Sequence, residues 1–442
     1  MAGYTAEDLR HRIAVLDTDA SARTPVAESD TVDGFQIGLV IIGISITLPL
    51  MYSAGELARG AGLLPGIVAV LAGALILSLI SVPAAIVGKE TRLSSYMIIE
   101  HTFGFAGAKF VNFWFGIFLL GWYAVTAELF GRTLYLAAGE LTALTIPEPV
   151  YTLLSSGLVT ITTVYGFRAI DRLALVAVPM LLLALIAVVA LSLRESPFSA
   201  LLAIDGTGLD FRTATSAVVG AAIVGVVLMP DLTRYARTTT DCVTASLLGQ
   251  GGGIVIAYLA GMIPVLAWDE LEPMTYMFLI GFGGTALAVI VFATWTTNVV
   301  NLYSTALTAR ASLPYGHYRP AVVVCGILGT FAALIGVAGH LIDFLVILGL
   351  LVPPVAGVYL IDFFVFHRTD MSAARLVHRP AIRLNALIAG IGSGVAATAL
   401  YLSERSLTGI APLDSLAISL VLYFALEAGR IRFLGTADAH RH

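Results

Sequence analysis

Phe292-Ala293-Thr294-Trp295-Thr296-Thr297-Asn298 sets three hydroxyls and an amide inside an otherwise apolar run. Polar groups cost free energy in hydrocarbon, so their presence calls for a task that offsets the cost. In a helix, Ala293, Thr296 and Thr297 stand at i, i+3 and i+4, which stacks the carbonyl of the first and the hydroxyls of the others on one face. That face reads as half of a sodium site. It also reads as hydroxyls bonded back to the carbonyl one turn earlier, or as glue between two helices, which are the commoner uses of Thr in membranes. Asn298 is harder to place without a ligand, because an amide in mid-helix needs partners that lipid does not provide.

Around this stretch the chain is strongly apolar. Of its 442 residues 58% are hydrophobic and only 12% charged, the composition of a polytopic membrane protein. Apolar runs long enough to cross a bilayer lie at 35–57, 64–88, 107–133, 149–167, 171–193, 212–230, 244–268, 277–308, 320–338, 341–366, 382–403 and 410–429. The expected fold class is therefore all-α and multi-pass, with about 12 transmembrane helices. Residues 1–34 mix Asp, Glu and Arg without an apolar core, so they read as a polar tail and not a cleaved signal peptide, and 431–442 form a second tail. Arg10, Arg12, Arg23, Lys89, Arg92, Arg168, Arg172, Arg234, Arg237, Arg310, Arg319, Arg368, Arg375, Arg379, Arg383, Arg430 and Arg432 fall on one side of such a layout; mainly Arg59, Arg194, Arg212 and Arg405 fall on the other. The positive-inside rule then places both termini in the cytoplasm, with the chain in the cell membrane.

The same layout excludes several classes. Cys242, in an expected cytoplasmic loop, and Cys325, in an apolar helix, provide neither a disulfide framework nor a metal cluster. The eight His show no H-x-x-x-H spacing, which argues against a membrane metalloenzyme. Polar residues cluster at mid-depth in a few helices, where a channel would line a continuous pore. No linker exceeds about twenty residues, so one membrane domain without an attached enzyme is expected.

Two halves of the chain correspond faintly. Val40-Ile41-Ile42-Gly43-Ile44-Ser45-Ile46 in the first span matches Ala217-Val218-Val219-Gly220-Ala221-Ala222-Ile223 in the sixth, and Gly121-Trp122 in the third matches Thr294-Trp295 in the eighth. Interrupted spans in corresponding positions of two halves point to an inverted repeat with a binding site at mid-membrane. Pro49 adds to the first span's case, since it donates nothing to the carbonyl of Ser45.

Further pieces carry a family likeness: Trp295-Thr296-Thr297-Asn298 followed by Asn301-Leu302-Tyr303-Ser304, Gly121-Trp122, Pro230-Asp231-Leu232-Thr233-Arg234-Tyr235, Thr102-Phe103-Gly104, and Val352-Pro353-Pro354-Val355-Ala356-Gly357-Val358 leading to Ile361-Asp362-Phe363. In this order and spacing, from about residue 35 to 430, the chain resembles the type 1 nucleobase-cation symporters, within them the cytosine-permease branch. The resemblance implies a transporter domain at 35–430 with a LeuT-like core of 5+5 helices in inverted repeats, 35–193 and 212–366, plus two C-terminal helices at 382–429. It implies alternating-access transport of a small heterocycle of the cytosine, purine, hydantoin or vitamin-precursor class, coupled to Na+. No other cofactor and no nucleic acid are implied. By the same resemblance the sodium ligands are the carbonyls of Gly43, Ile46 and Ala293 and the hydroxyls of Thr296 and Thr297, which suits a hard cation. The substrate ring would stack on Trp122 and bond to Asn298, with Thr47, Ala221 and Ala222 completing the substrate-facing set. A proton-coupled carrier and a non-transporting membrane sensor are the rival readings.

The departures narrow the substrate. Ala222 stands where cytosine permeases carry an aromatic, Ala221 and Val224 where they carry serines, and Leu119 where they carry a glutamine. A roomier, less polar pocket would leave the groups of cytosine unpaired, so a larger or more apolar heterocycle is expected. Among the ionisable residues, Glu128 reads either as a proton-coupling carboxylate or, with Arg132 at i+4, as a structural pair or outer-gate residue, and the pair is the expectation, as it is for Glu56 and Arg59. Asp231 and Arg234 mark the cytoplasmic end of the sixth span, where gate closure and simple anchoring both call for charges, and Asp343 and Asp362 receive no role in transport.

Overall fold

The computed structural model describes residues 25–142, 146–165, 170–279, 281, 283–312, 318–367, 371–378 and 380–439. Most of the N-terminal tail with Arg10, Arg12 and Arg23, as well as Arg168, Arg368, Arg379, His440 and His442, lie outside the described residues.

Helices dominate, and among the described residues the only β pairing is two isolated bridges, Val32 with Ala236 and Gly62 with Asp205. The main helices are α1 (Gly34–Ser45), α2 (Leu48–Ala61), α3 (Leu63–Thr91), α4 (Ser95–Phe103), α5 (Phe105–Leu141), α6 (Glu148–Tyr165), α7 (Ile170–Glu195), α8 (Phe211–Val227), α9 (Thr239–Trp268), α10 (Pro273–Leu279), α11 (Gly283–Ser312), α12 (Tyr318–Leu334), α13 (Val337–His367), α14 (Leu384–Leu402) and α15 (Ala411–Ala439). Among the described residues six are long and apolar enough to cross a membrane, seven with α1 and α2 counted as one bent span; α8 and α12 are shorter apolar helices. Within the described residues the apolar runs read from the sequence fall on these helices, the first across both α1 and α2. The eighth run is shifted: residues 277–279 belong to the short α10, and Gly281 at φ +79° separates it from α11, a conformation that costs glycine little.

The first span breaks where Pro49 predicts. α1 ends at Ser45, Ile46 (φ −92°, ψ 89°) and Thr47 (φ −133°, ψ 155°) leave the helical region, and α2 departs at 70°. The last turn of α1, which holds Gly43, thereby keeps carbonyls with no following amide to receive. The sixth span behaves differently. α8 runs through Gly220 without interruption to Val227. Gly220 is needed for close approach instead: a Cβ there would lie 1.7 Å from the carbonyl oxygen of Leu345 on α13.

Packing sorts the helices into groups. α5, α6, α11 and α12 pack on one another, while α1 and α2 pack on α9 and α8 packs on α3 and α13. α14 and α15 pack together, and α15 also covers α13. Cys242 is not in a loop: it lies in the first turns of α9, fully buried, its thiol 3.5 Å from the carbonyl of Ala85.

Arg383 also departs from expectation. It is no solvated loop cation; it is buried between carboxylates, with Nη1 donating to Asp362 Oδ2 (2.7 Å) and Nη2 to Asp362 Oδ1 (2.9 Å) and Glu427 Oε1 (3.1 Å). Tyr423 and His367 bond Asp362, Asn385 and Arg430 bond Glu427, and Nη1 reaches the carbonyl of His101 on α4. Asp362, left without a role in the sequence, joins the two C-terminal helices to the rest.

Candidate functional site

The break between α1 and α2 lies at mid-span, and the polar stretch of α11 lies at a matching depth in its own helix. On α11 the hydroxyl of Thr296 donates to the carbonyl of Ala293 (2.9 Å), which is the back-bonding use of Thr. Thr297 is half-buried and its hydroxyl makes no hydrogen bond among the described residues. Trp295 is committed to packing: it stacks on Phe292 and its indole N–H donates to Thr162 on α6 (3.3 Å).

Asn298 is fully buried, and neither its Oδ1 nor its Nδ2 has a hydrogen-bond partner among the described residues. A buried amide left so costs on the order of 1–3 kcal/mol for each orphaned group. Native structures retain such groups chiefly where something else bonds them.

On α5, Trp122 is partly buried and meets the ring of Phe344 edge-on, centroids 5.6 Å apart. The contact needs Gly121, whose Cβ would lie 2.7 Å from that ring. Phe344, from α13, is absent from the sequence-derived set, since one more aromatic in an apolar span carries no signal of its own. In the second half of α8, Ala221, Ala222, Val224 and Gly225 are incompletely covered, as is Leu228 just beyond the helix end, while Ala217 to Gly220, Ile223, Val226 and Val227 are buried. Thr47, half-buried at the break, caps α2 through its carbonyl, which accepts from Met51 N–H (3.0 Å), and leaves its hydroxyl without a capping bond.

The donor set expected for sodium has the right chemistry, neutral hard oxygens from a helix break and from hydroxyls. Its two halves sit in different packing groups, Gly43 and Ile46 with α9 and Ala293, Thr296 and Thr297 with α5, and the Ala293 carbonyl is engaged by Thr296. An apolar groove lined by Ile76, Pro83, Leu360, Phe364 and Leu416 contains none of these residues and no polar side chain.

The expected ion pairs around α5 and α2 are re-partnered. Glu128 accepts the backbone N–H of Ala338 (2.7 Å), at the start of α13, instead of pairing with Arg132. Arg132 faces Glu272 (2.9 Å), in the connection before α10, and Arg59 faces Asp269 (3.3 Å) and its carbonyl (2.6 Å), not Glu56. Asp231 accepts the N–H of Ser95 (2.8 Å), and Arg234 lies over the ring of Tyr235. Burial pushes the Glu272 carboxyl up to about 7 against the pull of Arg132, with Glu270, Glu148 and Glu128 pushing the same way. A carboxyl raised on folding stabilises the fold while protonated and loses that contribution as pH rises through its folded pKa. The melting temperature of wild type relative to Glu272→Gln is therefore expected to fall between about pH 5 and 8; a pH-independent difference would remove Glu272 from this account.

Residues 41–403 match the family described as permease for cytosine/purines, uracil, thiamine, allantoin. The cytosine permease of Escherichia coli (strain K12) is 25% identical over 385 residues, 84% of this chain and 87% of that protein. The hydantoin permease of Microbacterium maritypicum is 25% identical over 384 residues, 80% of this chain and 77% of that protein. Among solved structures, the inward-facing conformation of Mhp1 matches with TM-score 0.79 at 18% identity, over 94% of this chain and 93% of that one. A closed conformation of Mhp1, described as a nucleobase-cation-symport-1 family transporter with bromovinylhydantoin bound, matches with TM-score 0.74 at 20% identity, over 91% and 93%. The fold is thus that of a multi-pass membrane transporter with a LeuT-like core. With more than three quarters of its length matched by one family, the chain belongs to the cytosine/purine, uracil, thiamine and allantoin permeases, membrane transporters and not enzymes.

Proposed function

We propose that this permease is a sodium-coupled symporter that takes up one small heterocycle by alternating access. The observation that carries the reading is Asn298: a fully buried amide with both polar atoms unpartnered is a binding group awaiting a ring that offers an N–H beside a C=O. Trp122 supplies the ring face, Ala221, Ala222 and Thr47 line the remaining wall, and Phe344 closes over the indole. Sodium would bind the carbonyls of Gly43, Ile46 and Ala293 and the hydroxyls of Thr296 and Thr297. The Thr296 hydroxyl would then leave its intrahelical bond, and α1 and α11 would be drawn together as the ion joins them. Because substrate and ion share these helices, each tightens the other by the same factor. In this reading the inverted repeats span 35–193 and 212–366, helices 382–429 are additions, and both termini face the cytoplasm of the cell membrane. The relatives are named for cytosine and for hydantoin; the alanines of α8 leave room for a ring that carries a substituent, larger or more apolar than bare cytosine.

The test is thermal stability of the purified protein against cytosine, uracil, purines, thiamine, allantoin and substituted hydantoins, each in sodium and in choline. A ligand that binds only the folded state raises stability by mass action, and a compound that does so only in sodium supports coupling. Thr297→Ala is expected to weaken sodium dependence about tenfold, the loss of one ligand of about 1.4 kcal/mol; unchanged dependence would strike Thr297 from the site. Stabilisation equal in choline would favour the second reading, proton coupling, for which the clustering of Glu128, Glu272 and Arg132 is the specific observation.

A further inference from the structure

The run Gly249-Gln250-Gly251-Gly252-Gly253 lies in a π-helical turn of α9, Leu247–Gly253. Such turns insert an extra residue, re-aim their side chains and recur at functional sites. This one is held by close contacts: a Cβ on Gly249 would meet Ile41 at 2.6 Å, one on Gly253 would meet Ile42 at 3.1 Å and one on Gly251 would meet Ser78 Oγ at 3.1 Å. Gln250 is its single polar side chain. It is 4% exposed, and its Oε1 accepts no hydrogen bond from the described residues.

What Gln250 borders is informative. Beyond its own stretch of helix, a Cβ placed on Gly225 of α8 would meet only Gln250 Nε2 among the described residues, at 3.9 Å. Gly225 belongs to the uncovered side of α8 with Ala221 and Ala222. It lies one turn, about 5 Å, further toward the C-terminal end of that helix. The amide of Gln250 therefore edges the space that Ala221 and Ala222 line, and by turning over about its last bond it presents either a donor or an acceptor to that space.

Two orphaned amides thus come from different helices, Asn298 on α11 and Gln250 on α9, and the α8 surface at Gly225 offers no side chain to pair with Gln250. A bare base bonded to Asn298 would leave Gln250 unpaired, at the cost of a buried polar group. We propose that Gln250 is a specificity-determining residue and that the transported heterocycle carries a hydrogen-bonding arm, the ring edge on Asn298 and the arm on the Gln250 amide. This rests on the reading of Asn298 and Trp122 as the substrate site.

Hydantoin and allantoin test it, since they share a ring and differ by the ureido arm. Their half-saturating concentrations are measured by thermal stabilisation of the full-length protein in sodium. Wild type is expected to bind allantoin at least tenfold more tightly than hydantoin. Gln250→Leu brings the two within about twofold by weakening allantoin alone, tenfold being the loss of about 1.4 kcal/mol. Gln250→Glu, which keeps the volume and an acceptor for the ureido N–H, retains the preference. No preference in wild type, or a ratio that Gln250→Leu leaves unchanged because both compounds weaken alike, overturns the proposal and assigns Gln250 to helix packing. Asn298→Ala separates the two layers: it weakens both compounds about a hundredfold if the underlying site is right, and unchanged binding of both overturns that site, whatever Gln250 does.

Discussion

Replacing Asn298 with Leu is expected to raise the melting temperature of the substrate-free protein while lowering substrate affinity about a hundredfold. The two effects have one cause. Both polar atoms of the amide are buried without a partner, so each carries a desolvation cost of about 1–3 kcal/mol that an apolar residue of similar volume does not. Removing them relieves the empty protein. A bound ring repays that cost by bonding both atoms, and the loss of two such bonds at about 1.5 kcal/mol each is close to two decades in affinity. Opposed changes of this kind are the usual sign of a site that gives up stability for function. Thermal melting without ligand and ligand titration of the same preparations check it. A variant that loses stability as well as binding would show that the amide is bonded within the protein and would remove its role as a recognition group.

Arg383→Ala is expected to cost about 3–5 kcal/mol of stability. Arg383 is 9% exposed, and its guanidinium holds Asp362, fully buried, and Glu427, 1% exposed. Truncation would leave two carboxylates facing each other without their shared cation. The contacts also span α4, the end of α13, and α14 with α15, so the loss loosens the attachment of both C-terminal helices. Arg383→Met combined with Asp362→Asn and Glu427→Gln should recover much of the stability, because a buried ionic set replaced as a whole is often neutral, whereas one broken in part is not. Melting of the single and triple variants decides between the two. A harmless Arg383→Ala would mean that water reaches the carboxylates and that the network contributes little.

The helical, multi-pass character of this chain follows from composition and hydropathy alone, because a backbone in lipid satisfies its polar groups only within helices or closed barrels. The break in the first span was also legible, since Pro49 acts within one turn of itself. So was Asn298 as a residue needing partners. Gly220 shows the limit of local reading: the same residue type that marks a break elsewhere here admits the backbone of Leu345, a contact across 125 residues of sequence. Phe344 against Trp122 and Gln250 beside Gly225 are likewise juxtapositions of distant helices, and no spacing rule announces them.

The charged residues make the physical reason plainest. Glu128 and Arg132 have the local spacing of an ion pair, but such a pair on a helix contributes only about 0.2–0.5 kcal/mol. The unpaired amide at the start of α13 and the buried carboxyl of Glu272 each stand to lose more, about 1–3 kcal/mol, if left unbonded. Glu128 and Arg132 are therefore drawn to Ala338 and Glu272. The sequence by itself determined which segments enter the membrane, where the first one breaks and which buried amide lacks a local partner. Tertiary structure decided which groups meet, because the desolvation cost of a buried group exceeds any preference written in neighbouring residues.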